Sequence, residues 1–191
     1  GNPSSMCGNG GRCIVAFAKQ LGVIQDETVF DAVDGEHEAR VENDMVHLKM
    51  QDVQRIETFE DHLFLNTGSP HHVQWVENLA LYDVRSEGAK LRYSDLYGPA
   101  GSNINFAEQT GTTFSLRTYE RGVEDETLSC GTGATAVALA IHHHGKTDSR
   151  EIPLKVEGGN LKVTFEPVAE GYQNIYLIGP AQAVYTGVWP D

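Results

Sequence analysis

Cys7-Gly8-Asn9-Gly10-Gly11-Arg12-Cys13-Ile14-Val15-Ala16-Phe17-Ala18 has a counterpart far along the chain in Cys130-Gly131-Thr132-Gly133-Ala134-Thr135-Ala136-Val137-Ala138-Leu139-Ala140. Each stretch opens with a Cys-Gly-x-Gly turn, runs into apolar residues and is followed by a glycine fifteen positions after its cysteine, Gly22 and Gly145. The spacing predicts a helix after each turn, with the glycine as its stop. Uncovered amides and the positive end of the helix dipole favour negative charge at such a start, so each copy offers a polarised sulfur beside an anion cradle. A lone cysteine at a helix start is more often a small buried hydrophobe. Two in matched context point instead to one site built from both.

The repeat extends beyond the helices. After Gly22, the segments Thr28 to Val33, Glu36 to Glu42 and Met45 to Met50 alternate apolar and polar residues around turns at Asp34-Gly35 and Asn43-Asp44. After Gly145, Ile152 to Val156, Leu161 to Phe165 and Tyr172 to Ile178 do the same around Gly158-Gly159 and Glu170-Gly171. Both read as antiparallel meanders that follow a helix. Between the copies come a strand near Leu63 to Leu65, a loop Gly68-Ser69-Pro70-His71-His72, a strand Val73 to Val76, an amphipathic piece from Asp83 to Tyr93, and a hairpin of Asn103 to Glu108 with Thr112 to Tyr119. The second cysteine thus has a long lead-in of strand and loop. The first has six residues, so the duplication implies opening strands absent from this chain, and a start at Gly1 agrees with truncation.

Composition bounds the rest. The chain has 191 residues, 40% of them hydrophobic, and a net charge of −13 with no basic cluster, which argues against nucleic-acid and anionic-membrane partners. No run is long and apolar enough for a membrane span and no leader is visible, so a cytoplasmic protein is expected. Three cysteines make no disulfide framework, and Cys13, in the apolar run with Ile14 and Phe17, reads as a packed core thiol. His142-His143-His144 point in different directions on one helix and do not converge on a metal. The glycines after Cys7 follow no visible strand and carry no P-loop lysine, so no nucleotide loop is expected.

Met6 to Cys13, together with Tyr119-Glu120-Arg121-Gly122 and Glu126-Thr127-Leu128-Ser129-Cys130-Gly131-Thr132-Gly133-Ala134, resembles the diaminopimelate epimerase family. The resemblance runs on to Ala183-Val184-Tyr185-Thr186-Gly187, which is similar to the family's final strand. It implies an α/β (α+β) fold of two pseudo-symmetric domains, each a curled, mostly antiparallel sheet around a central helix. The first half would comprise 1–61 plus 180–191, because the last strand crosses back, and the second 62–179. It further implies a cofactor-independent isomerase interconverting LL- and meso-diaminopimelate, with Cys7 and Cys130 on opposite faces of the α-carbon, one as thiolate and the other as thiol, their roles exchanged for the reverse direction. Amides of Gly8, Asn9, Gly131 and Thr132 would hold the α-carboxylate. Asn105, Glu120 and Arg121 would contact the substrate's ammonium and carboxylate groups, and His71 and Glu120 would lie near the thiols.

Three features depart from the family's pattern. Ser69 stands where an asparagine is usual, so an amide becomes a hydroxyl. The loop Glu120-Arg121-Gly122-Val123-Glu124-Asp125-Glu126-Thr127 is longer than the family's, and the family's N-terminal stretch has no counterpart. The alternatives are a proline-racemase-like racemase, and an inactive fragment or small-molecule binder. A homodimer is compatible with the sequence, which does not fix the oligomeric state.

Overall fold

The computed structural model describes residues 5–188. Helix α1 (Gly8–Gln20) starts from Cys7 as its N-cap, and the chain leaves it through Gly22 at φ +71°, the left-handed conformation that ends a helix. Strands β1 (Glu27–Ala32), β2 (Gly35–Glu42) and β3 (Met45–Lys49) then form the expected antiparallel meander. Its second turn holds Asn43 and Asp44 at φ 48° and 61°, the positive pair that a two-residue hairpin requires and that short polar side chains tolerate.

Next come β4 (Ile56–Thr58), β5 (Leu63–Asn66), β6 (Pro70–Trp75), a 3-10 turn at Leu79–Leu81, α2 (Val84–Arg92), β7 (Asn103–Thr110), β8 (Thr113–Glu120) and the short β9 (Asp125–Thr127). Helix α3 (Gly131–His143) has Cys130 as its N-cap and is followed by Gly145 at φ +65° and the second meander, β10 (Glu151–Val156), β11 (Gly159–Val168) and β12 (Gly171–Pro180).

The twelve strands form one sheet in the order β1-β2-β3-β12-β11-β10-β8-β7-β6-β5-β4, with β9 on β8. Pairing is antiparallel except between β6 and β7 and between β10 and β8. The meander after α3 joins the meander after α1 through β12 and β3, in register Leu177↔Leu48. The expected last strand, Ala183 to Gly187, is absent: residues 181–188 form no ladder and are largely exposed. The loop expected at Pro70-His71-His72 is also strand, with Pro70 as its first residue, where the missing amide costs no internal ladder bond.

The sheet curls around α3, which packs on β5, β6, β7, β8, β10, β11 and β12. Every residue from Gly131 to Ile141 is buried, and most are glycine, alanine or threonine, so strands approach the helix axis closely. Leu48, Leu63, Leu65, Leu139, Ile152, Leu154 and Leu177 close the main core around it. A second cluster of Leu79, Val84, Ile104, Phe106 and Tyr119 fixes α2 to the other side of β7 and β8. Among the described residues no helix is long and apolar enough to cross a membrane.

Candidate active site

The two helix starts touch. A Cβ on Gly8 would lie 3.0 Å from the Cα of Gly131, and one on Gly131 would lie 2.8 Å from the Cα of Gly8. Each would also meet Leu177 Cδ2, at 2.7 and 2.8 Å. Only residues without a side chain allow this approach, and it sets two N-terminal turns with their unpaired amides against each other. The cysteines preceding these glycines have nearly the same backbone, φ −118° and ψ 106° at Cys7, φ −114° and ψ 111° at Cys130.

Their surroundings differ. Cys7 is exposed, and its Sγ accepts the Gly10 amide at 3.3 Å. Cys130 is buried, with Thr132 Oγ1 at 3.5 Å from its sulfur. Burial first, then the negative charge of Glu120, push the Cys130 thiol up to about 12, with Cys7 contributing in the same sense. Cys130 is therefore a protonated thiol at neutral pH.

Asn9 and Thr132 tie the neighbourhood together. Asn9 Nδ2 donates to the Ser129 carbonyl at 2.7 Å and its Oδ1 accepts from Arg12 at 3.0 Å, so the side chain is a strut between the turns and leaves only the Asn9 backbone amide for a ligand. The Thr132 carbonyl accepts from Thr67 Oγ1 at 2.9 Å, which anchors the chain just before Gly68 and Ser69 to the start of α3.

His71 is fully buried on β6, and burial, with Arg121 second, lowers it to about 3, so the ring is neutral. Asn105 Nδ2 donates to His71 Nδ1 at 3.1 Å and to the His72 carbonyl at 2.7 Å, while Asn105 Oδ1 accepts from Thr118 at 2.9 Å. With Nδ1 accepting, this network assigns the ring proton to Nε2, a buried atom with no partner among the described residues. Asn105, expected at the substrate, is engaged here with His71, the His72 carbonyl and Thr118.

Asn103, two residues earlier on the same face of β7, is also buried and engaged. It donates to Ser69 Oγ at 2.7 Å and to the Pro70 carbonyl at 3.1 Å, and accepts the Arg121 amide at 2.9 Å. Ser69 thus keeps its own hydroxyl proton available. Arg121 is half-buried, donates to the Ala100 carbonyl at 3.2 Å and forms no ion pair with a described carboxylate. Glu120 accepts from Thr127 at 2.9 Å.

The longer loop is built in rather than loose. Its last residues form β9 on β8, and Glu124, at φ +59°, accepts from the Gly122 amide at 3.0 Å and pairs with Arg92 of α2 at 3.1 Å. At the other end of α3 the three histidines diverge: His142 meets Tyr172 at 2.9 Å, His143 meets Thr58 at 3.1 Å and His144 meets Trp75 at 3.0 Å. A groove of about 600 Å³ beside His143 and Tyr172 lies at this far end and contains neither N-cap cysteine.

The family model described as diaminopimelate epimerase matches residues 63–184. A diaminopimelate epimerase of Flavobacterium psychrophilum is 58% identical over 187 residues, covering 97% of this chain and 73% of the relative. One of Chlorobaculum tepidum is 42% identical, covering 98% and 76%. Among solved structures, a PhzF-family phenazine biosynthesis protein of Bacillus anthracis superposes with a TM-score of 0.72 at 12% identity, over 93% of this chain and 73% of that one. A hydroxyproline epimerase of Agrobacterium vitis, with bound trans-4-hydroxy-L-proline, gives 0.66 at 17% identity, over 92% and 65%. At these identities the two structures establish a shared fold.

Proposed function

The chain belongs to the diaminopimelate epimerase family, and from that premise we propose that Cys7 and Cys130 exchange the α-proton of diaminopimelate across a carbon held between the two helix starts. The protein is an isomerase, interconverting LL- and meso-diaminopimelate in lysine biosynthesis. The observation that carries the mechanism is the Gly8–Gly131 contact, with an N-cap cysteine immediately before each glycine.

Cys130 enters as the thiol, held protonated by burial, and Cys7 as the base. Cys7 sulfur takes the α-proton from one face, and the C–H electron pair moves into the carboxylate. The Cys130 S–H then delivers its proton to the opposite face, leaving Cys130 as the thiolate; proton exchange resets the pair. Amides of Gly8, Asn9, Gly131 and Thr132 lie where two helix dipoles add, and each donor aimed at the developing oxyanion contributes on the order of 3 kcal/mol. That stabilisation replaces the electron sink a pyridoxal group would provide.

Arg121, without a carboxylate partner among the described residues, and Ser69, with a free hydroxyl proton, supply charge and a donor for the substrate's polar groups. Asn103 fixes both, and neutral His71 lies behind them. Three unpaired cysteines suit a reducing compartment, which supports a cytoplasmic setting.

The test is α-proton exchange in heavy water. LL-diaminopimelate should exchange and epimerise, Cys7→Ala and Cys130→Ala should each lose at least about a thousandfold of turnover while still binding substrate, and proline should not exchange. Exchange of proline without diaminopimelate would assign the site to a racemase of the other kind. Binding without exchange in the unaltered chain would make it a binding protein.

A further inference from the structure

We propose that Arg12 is the counter-charge of the Cys7 thiolate, a positioning residue that keeps the first cysteine ionised and ready as base. The inference rests on the epimerase reading and deepens it.

Five arginines pair with carboxylates: Arg40 with Glu42, Arg55 with Glu57, Arg85 with Asp125, Arg92 with Glu124 and Arg117 with Glu126. Arg12, Arg121 and Arg150 have no such partner among the described residues. Arg150 is exposed and Arg121 borders the site, but Arg12 is only 6% exposed. Removing a guanidinium from water without an anion costs several kcal/mol, so a buried and unpaired one requires an explanation.

Its placement adds to the cost. Arg12 turns back towards the start of α1, donating to the Gly8 carbonyl at 3.2 Å and to Asn9 Oδ1 at 3.0 Å. Its Nε has no partner and lies against β12, where a Cβ on Gly179 would come within 3.2 Å. A cation at a helix N-terminus opposes the dipole, and here the start of α3 adds a second positive end at the Gly8–Gly131 contact. Two helix starts and a buried guanidinium therefore gather beside the Gly8–Gly131 contact, and among the described residues no carboxylate pairs with the guanidinium.

The groups that could answer that charge are cysteines. Burial lowers the guanidinium from its ordinary value, and the charges that oppose this are those of Cys13 and then Cys7. Cys13 lies on the exposed side of α1, past its first turn. Cys7 is the N-cap, its sulfur accepts the Gly10 amide, and it adjoins Gly8 and Asn9, both bonded to Arg12. Its anion is the one that amide, dipole and guanidinium stabilise together.

The pair also completes the asymmetry of the site. Cys130 is held as the acid by its burial, and Arg12 supplies the opposite bias at Cys7. Through Asn9 and its bond to the Ser129 carbonyl, the same guanidinium braces the second turn.

The experiment follows alkylation of Cys7 by iodoacetamide, read by mass, in a Cys13→Ser background that removes the other exposed thiol. At pH 7 Arg12→Met should slow alkylation about tenfold, move the acid limb of the kcat/KM profile to higher pH, and lower kcat more than it changes KM. Arg12→Lys, which keeps the charge, should alkylate within about threefold of the parent. Alkylation of Arg12→Met at the parent rate would overturn the proposal, as would an equal loss in Arg12→Lys. Should Arg12→Met fail to fold, Arg12→Lys decides alone: retention supports the counter-charge and a tenfold loss removes it. Absence of epimerisation in the parent chain would count against the function proposed above, whereas the alkylation ratio judges Arg12 separately.

Discussion

Helices α1 and α3 begin with the same backbone and end with the same left-handed glycine, yet they live in different places. From Gly131 to Ile141, α3 is buried among seven strands; α1 rests on β2, β3 and β12 and buries only Gly8, Gly11, Arg12 and Val15. Ile14, Phe17 and Leu21 of the first copy are 57%, 56% and 60% exposed. Cys13, expected in the core, is on that open face. Local sequence sets the geometry of a cysteine-capped start, and the surroundings set its chemistry: one sulfur is held as a thiol by burial while the other is exposed and accepts the Gly10 amide.

The contact between the starts is where this comparison breaks most easily. Gly131→Ala or Gly8→Ala would push a methyl into the facing backbone and Leu177, and we expect at least a hundredfold loss of turnover with roughly 1–3 kcal/mol of destabilisation, measured by kcat and urea unfolding. Wild-type turnover in either variant would mean that the contact does not build the site.

Side-chain deletions read the environments directly. Leu139→Ala, in the fully enclosed helix, should cost about 3 kcal/mol in chemical denaturation, while Ile14→Ala should stay within about 0.5 kcal/mol. Equal costs would show that α1 is covered in solution as α3 is.

Acid should act on the α3 side. Burial, with His62 next, lowers His72 to about 4, and His71 lies near 3, whereas an unfolded histidine titrates near 6.5. Between these values the unfolded chain binds more protons, so stability is fully present above about pH 6.5 and is lost as pH falls towards 4, by at most about 3 kcal/mol for His72. His72→Gln should flatten that loss in thermal melts taken across the window.

The smallest effect concerns the longer loop. Glu124→Gln should weaken the tie to Arg92 and loosen the backbone that carries Arg121, raising KM about threefold with little change in kcat.

Much of this was legible in the residues because it is local. Cysteine turns, terminating glycines and the Asn43-Asp44 hairpin each encode their geometry within a few positions. What escaped depends on distant pairing. Pro70 reads as a loop until β5 lies beside it, and the joining of β3 to β12 has no local signature. The tail 181–188 is similar to the family's final strand but has no neighbour to pair with among the described residues. Asn103 and Asn105 share a face of one strand, and only the positions of Ser69, Arg121 and His71 decide that the first braces the two loop residues and the second the ring. Arg12 reads as one more motif residue, because its burial without a carboxylate partner among the described residues is not displayed by sequence.

The divergent histidines that end α3 have a mechanical consequence. Three side chains grip β12, β4 and the end of β6 from different azimuths, pinning the helix like an axle against rolling or sliding. The Cys130 sulfur lies at the opposite end of that helix, about 20 Å away at thirteen residues of 1.5 Å rise. On the mechanism proposed above, loosening that end by an alteration at His143 or Trp75 would reach the proton donor only along the helix itself.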